Sequence, residues 1–331
     1  MSTRSSIRRT SLVAIMLGGA YAIAVVLALG IGAVTVPPAD VVRDLLSGDG
    51  LIWSFRMPRV LVGTLAGAGM AISGCLLQVS LRNPLAAPDT IGITAGGGLA
   101  AVAALLGVGV LPAQALTPIA FVGALLGAGL VLLVAGRGIT DPIRLALTGV
   151  AVSVGLAALT HLLLVRAAPE AGAAMTWLKG SLYARTLSDA AVAGPTLAAT
   201  LLAVLLASRH LDALNLDDPL TAGVGVRATR WRIFAVVLAA ISGAAAVGAA
   251  GVLGFAGLII PHLSRLLVGR VMIRHLPIAA LAGATLVVAC DALGRWAFAP
   301  TEIPVGALIA IVGAPYFVFL LIRMTSLGER P

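Results

Sequence analysis

Few polar residues in this chain could do chemistry, and arginine dominates them. Arg56-Met57-Pro58-Arg59 sets two guanidinium groups on the start of a helix whose first turn suits proline. Such a pair can hold a carboxylate through charge-assisted hydrogen bonds, or it can anchor in lipid headgroups. Asp291 precedes Arg295 by one helical turn, so an intrahelical ion pair is the expectation and carriage of a proton or cation is the alternative. His161, His210, His262 and His275 are too dispersed to form a ligand cluster, and neither H-E-x-x-H nor G-x-S-x-G occurs. There is no G-x-x-x-x-G-K-[ST], and Lys179 is the only lysine, so a phosphate-cradling lysine is missing. No catalytic residue, metal ligand or cofactor is assigned on this basis. Any ATP and magnesium must be bound by another chain.

Two polar stretches stand apart from the apolar background. Arg82-Asn83-Pro84-Leu85-Ala86-Ala87-Pro88-Asp89 joins two prolines to a helix-breaking asparagine, which makes a rigid corner suited either to an ordinary hairpin turn or to a gate. From Ser208 to Arg232, Asp212, Asp217 and Asp218 precede Gly223-Val224-Gly225-Val226 and then Arg227 and Arg230. Interspersed Leu and Val predict short surface helices broken by glycine. The stretch is much longer than an ordinary connection, which favours a docking face over a plain loop.

The elements that must position these residues are lipid-embedded helices. Hydrophobic residues make up 60% of the 331 and charged residues 11%, with a mean hydropathy of +1.09. A soluble domain has too little interior for that much apolar surface. The net charge of +9 comes from arginines scattered between apolar runs, without the dense stripe that tracks a nucleic acid. Segments of spanning length fall at about 11–33, 60–81, 90–110, 114–136, 145–165, 190–208, 232–251, 276–297 and 304–322, with a tenth at about 252–268. The uncharged run between Arg232 and Arg265 is too short for two full ~30 Å crossings and a turn, so one of that pair must be short or tilted.

Ten crossings put both termini in the cytoplasm and most of the basic residues inside, whereas nine would expel the basic tail around Arg323 and Arg330. Arg4, Arg8 and Arg9 lead into a long uncharged stretch, read as a first span rather than a cleaved leader. Cys75 and Cys290 sit within apolar segments and read as small buried hydrophobes. Small-residue runs such as GTLAGAGMAISG (63–74) predict closely packed helices.

Five ordered stretches carry a resemblance: RMPR (56–59), SGCLLQ (73–78), RNPLAAPDTIGITAGG (82–97), GFAGLIIPHLSRLLVG (254–269) and EIPVGALIAIVGAPYFVFLL (302–321). They are similar to the FecCD/BtuC family of importer permeases. The resemblance implies an all-α, polytopic type II ABC importer permease of about ten transmembrane helices. It implies one permease domain over 1–331 with a cytoplasmic coupling segment at 209–231, set in the inner membrane with both termini cytoplasmic. The implied partners are a second permease subunit, identical or paralogous, two cytoplasmic ATPase subunits, an external substrate-binding protein and membrane lipid, but no nucleic acid.

By the same comparison Arg56, Arg59 and Arg295 match positions that meet acids on the binding protein. Asn83 and Leu85 match a cytoplasmic gate, and Thr140 and Asp141 a second constriction, where Asp141 departs from the small neutral polar residue expected. The segment 212–228 matches paired coupling helices, with Leu214, Asp217, Asp218, Ala222, Gly223, Val224, Gly225 and Val226 as the residues toward the ATPase. Val224 stands where leucine is commoner, and Asp218-Pro219 is atypical.

The function expected is import of a ferric siderophore by alternating access, with haem or cobalamin as alternative cargo. An ion-coupled secondary transporter and a membrane enzyme are readings from other classes. Neither accounts for the long inside insert or the ordered motifs.

Overall fold

A chain this rich in glycine and alanine can bring helix backbones together in lipid, where no hydrophobic force draws helices to one another. The computed structural model describes residues 3–32, 34–107, 112–136, 138, 141–167, 171–216, 218–223, 225–297, 299 and 301–328. Every regular element among them is helical: α1 (Thr3–Gly30), α2 (Pro38–Ser47), α3 (Met57–Ser80), α4 (Ile93–Gly107), α5 (Leu116–Ala135), α6 (Pro142–Arg166), α7 (Ala171–Leu178), α8 (Leu187–Leu206), α9 (Ser208–Ala213), α10 (Asp218–Gly223), α11 (Ala228–Ala250), α12 (Ala256–Val268), α13 (Met272–Ala297) and α14 (Val305–Gly328).

Among the described residues, seven helices are long and apolar enough to cross a membrane, namely α1, α3, α5, α6, α8, α11 and α13. The shorter apolar helices α4, α12 and the 305–320 part of α14 account for the remaining expected spans. The short member of the 232–268 pair is α12, whose 13 residues reach only about 20 Å. It is preceded by Phe255 at the N-cap, which holds a left-handed φ of 65° without being glycine.

α3 and α11 run through the centre of the bundle, with 78% and 72% of their apolar windows buried, whereas α1 and α6 bury only 17% each. The central helices are joined by hydroxyl groups donating to backbone carbonyls, Ser73 Oγ to Ala239 O at 2.7 Å and Ser242 Oγ to Gly69 O at 2.9 Å. Gln78, at the end of the SGCLLQ motif, donates to Leu258 O at 3.1 Å and accepts from Arg265 Nη2 at 2.7 Å, tying α3 to α12. Closest approach falls on glycines: a Cβ added at Gly67 would sit 2.2 Å from Gly283 O, and one at Gly74 1.8 Å from Gly257 O.

The short helices α2 and α7 were not expected from the sequence. α2 has no buried residue, and both are too short for a hydropathy window to register. A π-helical turn over Ile52–Arg56 leads into α3. Arg56, the last residue of that turn, is 6% exposed.

Candidate functional site

α1 ends with carbonyls that need donors, and two arginines from distant helices supply them. Arg295 donates from Nη2 to Ala28 O at 2.9 Å and from Nη1 to Ile31 O at 3.0 Å. Arg56 donates to Leu29 O and Val34 O. Cations at a helix C-terminus also complement its dipole. Asp291 links this cap to the rest of the cluster, accepting from Arg295 Nε at 2.9 Å and from Arg59 Nη2 at 2.9 Å. Arg59 further reaches Glu302, at 2.9 and 3.1 Å. The expected Asp291–Arg295 pair is therefore present, but Arg59 joins it from 232 positions away. A carboxylate fixed between two guanidinium groups is suited to holding helices together rather than to ferrying ions.

Arg56, Arg59 and Arg295 do come together, lining a cleft of about 310 Å³ with Arg185 and Glu302. Arg56 and Arg295 are 6% and 5% exposed and engaged with backbone, while the Arg59 side chain is 12% exposed. Arg185 was not singled out from the sequence. Its only signal there was a basic residue outside the spans.

At the opposite end of α3, the corner is held by its asparagine: Asn83 Oδ1 accepts from Leu85 N at 2.9 Å, following Arg82 at φ 46°. Leu85 packs with Ala87, Leu258 and Ile259 beside Phe255, Tyr316 and Phe317, so the corner rests on α12 and α14. Asp89 lies beside Thr94 and the backbone of Phe255, which brings the corner against the strained start of α12.

Thr140 lies outside the described residues. Asp141 is exposed and caps α6, accepting from Ile143 N at 2.9 Å and Arg144 N at 3.3 Å. Its charge has a local explanation, since a carboxylate at an N-cap satisfies free helix donors.

The coupling segment contains the short helices α9 and α10. Asp217 and Val224 lie outside the described residues, and Asp218 and Ala222 belong to α10. Gly223 and Gly225 are exposed and Val226 is half-buried. Leu214, one of the residues implied to face the ATPase, has a wholly buried side chain, which packs the segment against the bundle. Asp212 Oδ1 accepts from Met272 N at 2.7 Å at the start of α13, and Thr221 Oγ1 lies 3.1 Å from Ala213 O. Burial raises the Asp212 carboxyl above its usual range, with the Met272 N–H and Arg274 opposing that shift. Arg82 donates from Nε to Leu214 O at 3.0 Å and from Nη2 to Leu216 O. The proposed gate corner and the coupling segment are thereby bonded directly, a link that neither stretch of sequence announces.

The profile of the FecCD transport family matches residues 20–323, which takes in all five motifs. This chain belongs to the FecCD transport family. The FecCD-family chain is 38% identical over 300 residues to the Fe(3+)-citrate import system permease protein YfmE of Bacillus subtilis, covering 89% of this chain and 90% of that one. It is 39% identical over 301 residues to the Fe(3+) dicitrate transport system permease protein FecD of Escherichia coli, covering 90% and 94%. A solved structure described as the inward-facing conformation of a metal-chelate type ABC transporter superposes with a TM-score of 0.82 at 28% identity, covering 95% of this chain and 99% of the other. The FecCD-family chain is thus a multi-pass membrane permease, as its motifs implied.

Proposed function

We propose that this FecCD-family permease is the membrane-spanning subunit of an ABC importer that moves a ferric siderophore-type chelate into the cytoplasm. Support comes from one arrangement above all: a helical bundle whose sequence has no phosphate loop carries a polar segment bonded through Arg82 to the corner beneath its central helix. Such a chain needs outside work, and the segment offers the place to receive it. The relatives named as Fe(3+)-citrate permeases favour an iron chelate over haem or cobalamin.

In this scheme a second permease subunit completes the pathway, and two ATPase subunits that hold ATP and magnesium dock on 209–231, with Gly223, Gly225 and Val226 at the contact. The chain itself carries no cofactor. ATP binding shifts the coupling segment, Arg82 transmits the shift, and the corner at Asn83 and Leu85, with the turn at Thr140 and Asp141, opens or closes. The arginine cleft faces outward in the inner membrane, where Arg59, paired only with side chains, meets the binding protein while Arg56 and Arg295 hold the end of α1 in place, and both termini are cytoplasmic.

Proteoliposomes holding the permease, its ATPase and the binding protein are expected to accumulate ferric chelate only with ATP. Uptake by the permease alone under an ion gradient would refute the proposal. Arg82→Gln removes the transmitting fork, so chelate moved per ATP hydrolysed is expected to fall about tenfold, while ATP hydrolysis and thermal midpoint are retained. An unchanged ratio would remove Arg82 from the mechanism.

A further inference from the structure

We infer that the arginine cleft is a carboxylate-binding site in its own right, that Arg185 supplies its free donors, and that its occupant is a small polycarboxylate, free or as the ligand shell of a metal chelate. Four arginines line the cleft against the single carboxylate of Glu302, so the lining is strongly cationic. Three of the four are already engaged. Arg56 and Arg295 cap α1, and Arg59 lies between Asp291 and Glu302.

Arg185 differs from them. It is 9% exposed, and among the described residues its one side-chain hydrogen bond runs from Nε to Ser181 O at 3.3 Å. The acid nearest to it in charge, Asp189, is occupied elsewhere: Oδ1 accepts from Thr117 Oγ1 at 2.5 Å, and Oδ2 accepts from Thr186 N at 2.8 Å and Thr186 Oγ1 at 3.0 Å. Among the described residues neither terminal nitrogen of this nine-tenths buried residue has a hydrogen-bond partner, and Arg185 lines this cleft and, together with Asp189, a second cavity of about 380 Å³. The preceding Ala184 holds a left-handed φ of 55°, a strained turn for a residue with a side chain. Burial lowers Arg185 from its ordinary value, yet a guanidinium keeps its proton at working pH.

A buried cation with unused donors is costly in isolation, and an anion with planar oxygens matches the fork of Arg185 in bidentate fashion. The cleft volume falls at the small end of the range for small-molecule sites. The depth of Arg185 favours a compact molecule that enters the concavity over an acid carried on a partner's surface. Several carboxylates are favoured over one because Arg59 lines the same cleft, paired only with side chains that can exchange for ligand oxygens. The role of this site in transport rests on the importer proposal, but the binding itself does not.

The full chain in nanodiscs, titrated with citrate by calorimetry, tests the inference. Saturable binding is expected, weakened about tenfold or more in Arg185→Gln, and the neutral trimethyl ester of citrate is expected not to bind. Glu302→Gln removes the opposing charge and is expected to tighten citrate several-fold. Equal citrate affinity in wild type and Arg185→Gln, or no saturation up to about 10 mM, overturns the inference. If Arg185→Gln does not fold by thermal scan, Glu302→Gln decides: tighter binding supports the site and unchanged binding overturns it. Loss of binding-protein docking in Arg185→Gln, without citrate binding in wild type, assigns the carboxylate to the partner and also overturns it. ATP-driven chelate uptake without citrate binding sinks this inference alone, whereas citrate binding without ATP-driven uptake sinks the importer proposal alone.

Discussion

Gly74→Val is expected to leave little folded protein. A Cβ at this position would meet Gly257 O at 1.8 Å, Gly257 C at 2.7 Å and Pro261 Cγ at 2.9 Å. Two of these atoms are backbone, so no side-chain rotation relieves the contact, and α12 must move away from α3. Overpacking in a core commonly costs about 1–3 kcal/mol, and a backbone collision lies at or above the top of that range. The shift would also displace Gln78 from Leu258 and Arg265. Gly18→Val in α1 is the matched control, because nothing lies within 4 Å of its added Cβ. Size-exclusion profiles and thermal midpoints in detergent compare the two. Equal midpoints would show that the α3–α12 approach is not as tight as the glycine geometry demands.

Asp291→Asn is expected to cost about 3 kcal/mol, the low end for removing one partner from a buried ion pair. The full range is not reached, because Arg59 keeps Glu302 and Arg295 keeps the carbonyls of Ala28 and Ile31. What remains is a buried group of arginines with one counter-charge fewer, acting on the contacts of α1, α3 and α13 together. Glu302→Gln provides the comparison: its side chain is 33% exposed, and an ion pair of that kind contributes about 1 kcal/mol or less. Thermal midpoints at low and high salt separate them, with the Asp291→Asn loss nearly independent of salt. Equal losses for the two variants would mean that the cluster is solvated rather than buried.

Much of the architecture was legible along the chain because hydropathy and charge are local and additive. Runs of uncharged residues marked the spans, and the spacing of Arg232 and Arg265 announced that one helix of that pair falls short, which proved to be α12. RMPR and Arg295 marked one end of the bundle, and RNPLAAPD marked the corner at the other, because prolines and arginines are conspicuous against an apolar background.

Tertiary structure decided which partner each polar group takes. Arg82 reaches a carbonyl 132 positions away and Arg59 a carboxylate 232 positions away, and no periodicity encodes those pairings. Leu214 is an anchor because α9 turns it inward, a fact its residue type leaves open. Asp89 beside Phe255 and Arg185 without a terminal partner among the described residues emerge only when loops from separate helices meet. Lipid solubility follows from composition, which is summed residue by residue. The wiring of the few charges inside the bundle follows from helix packing, where glycine contacts set which distant side chains come within reach.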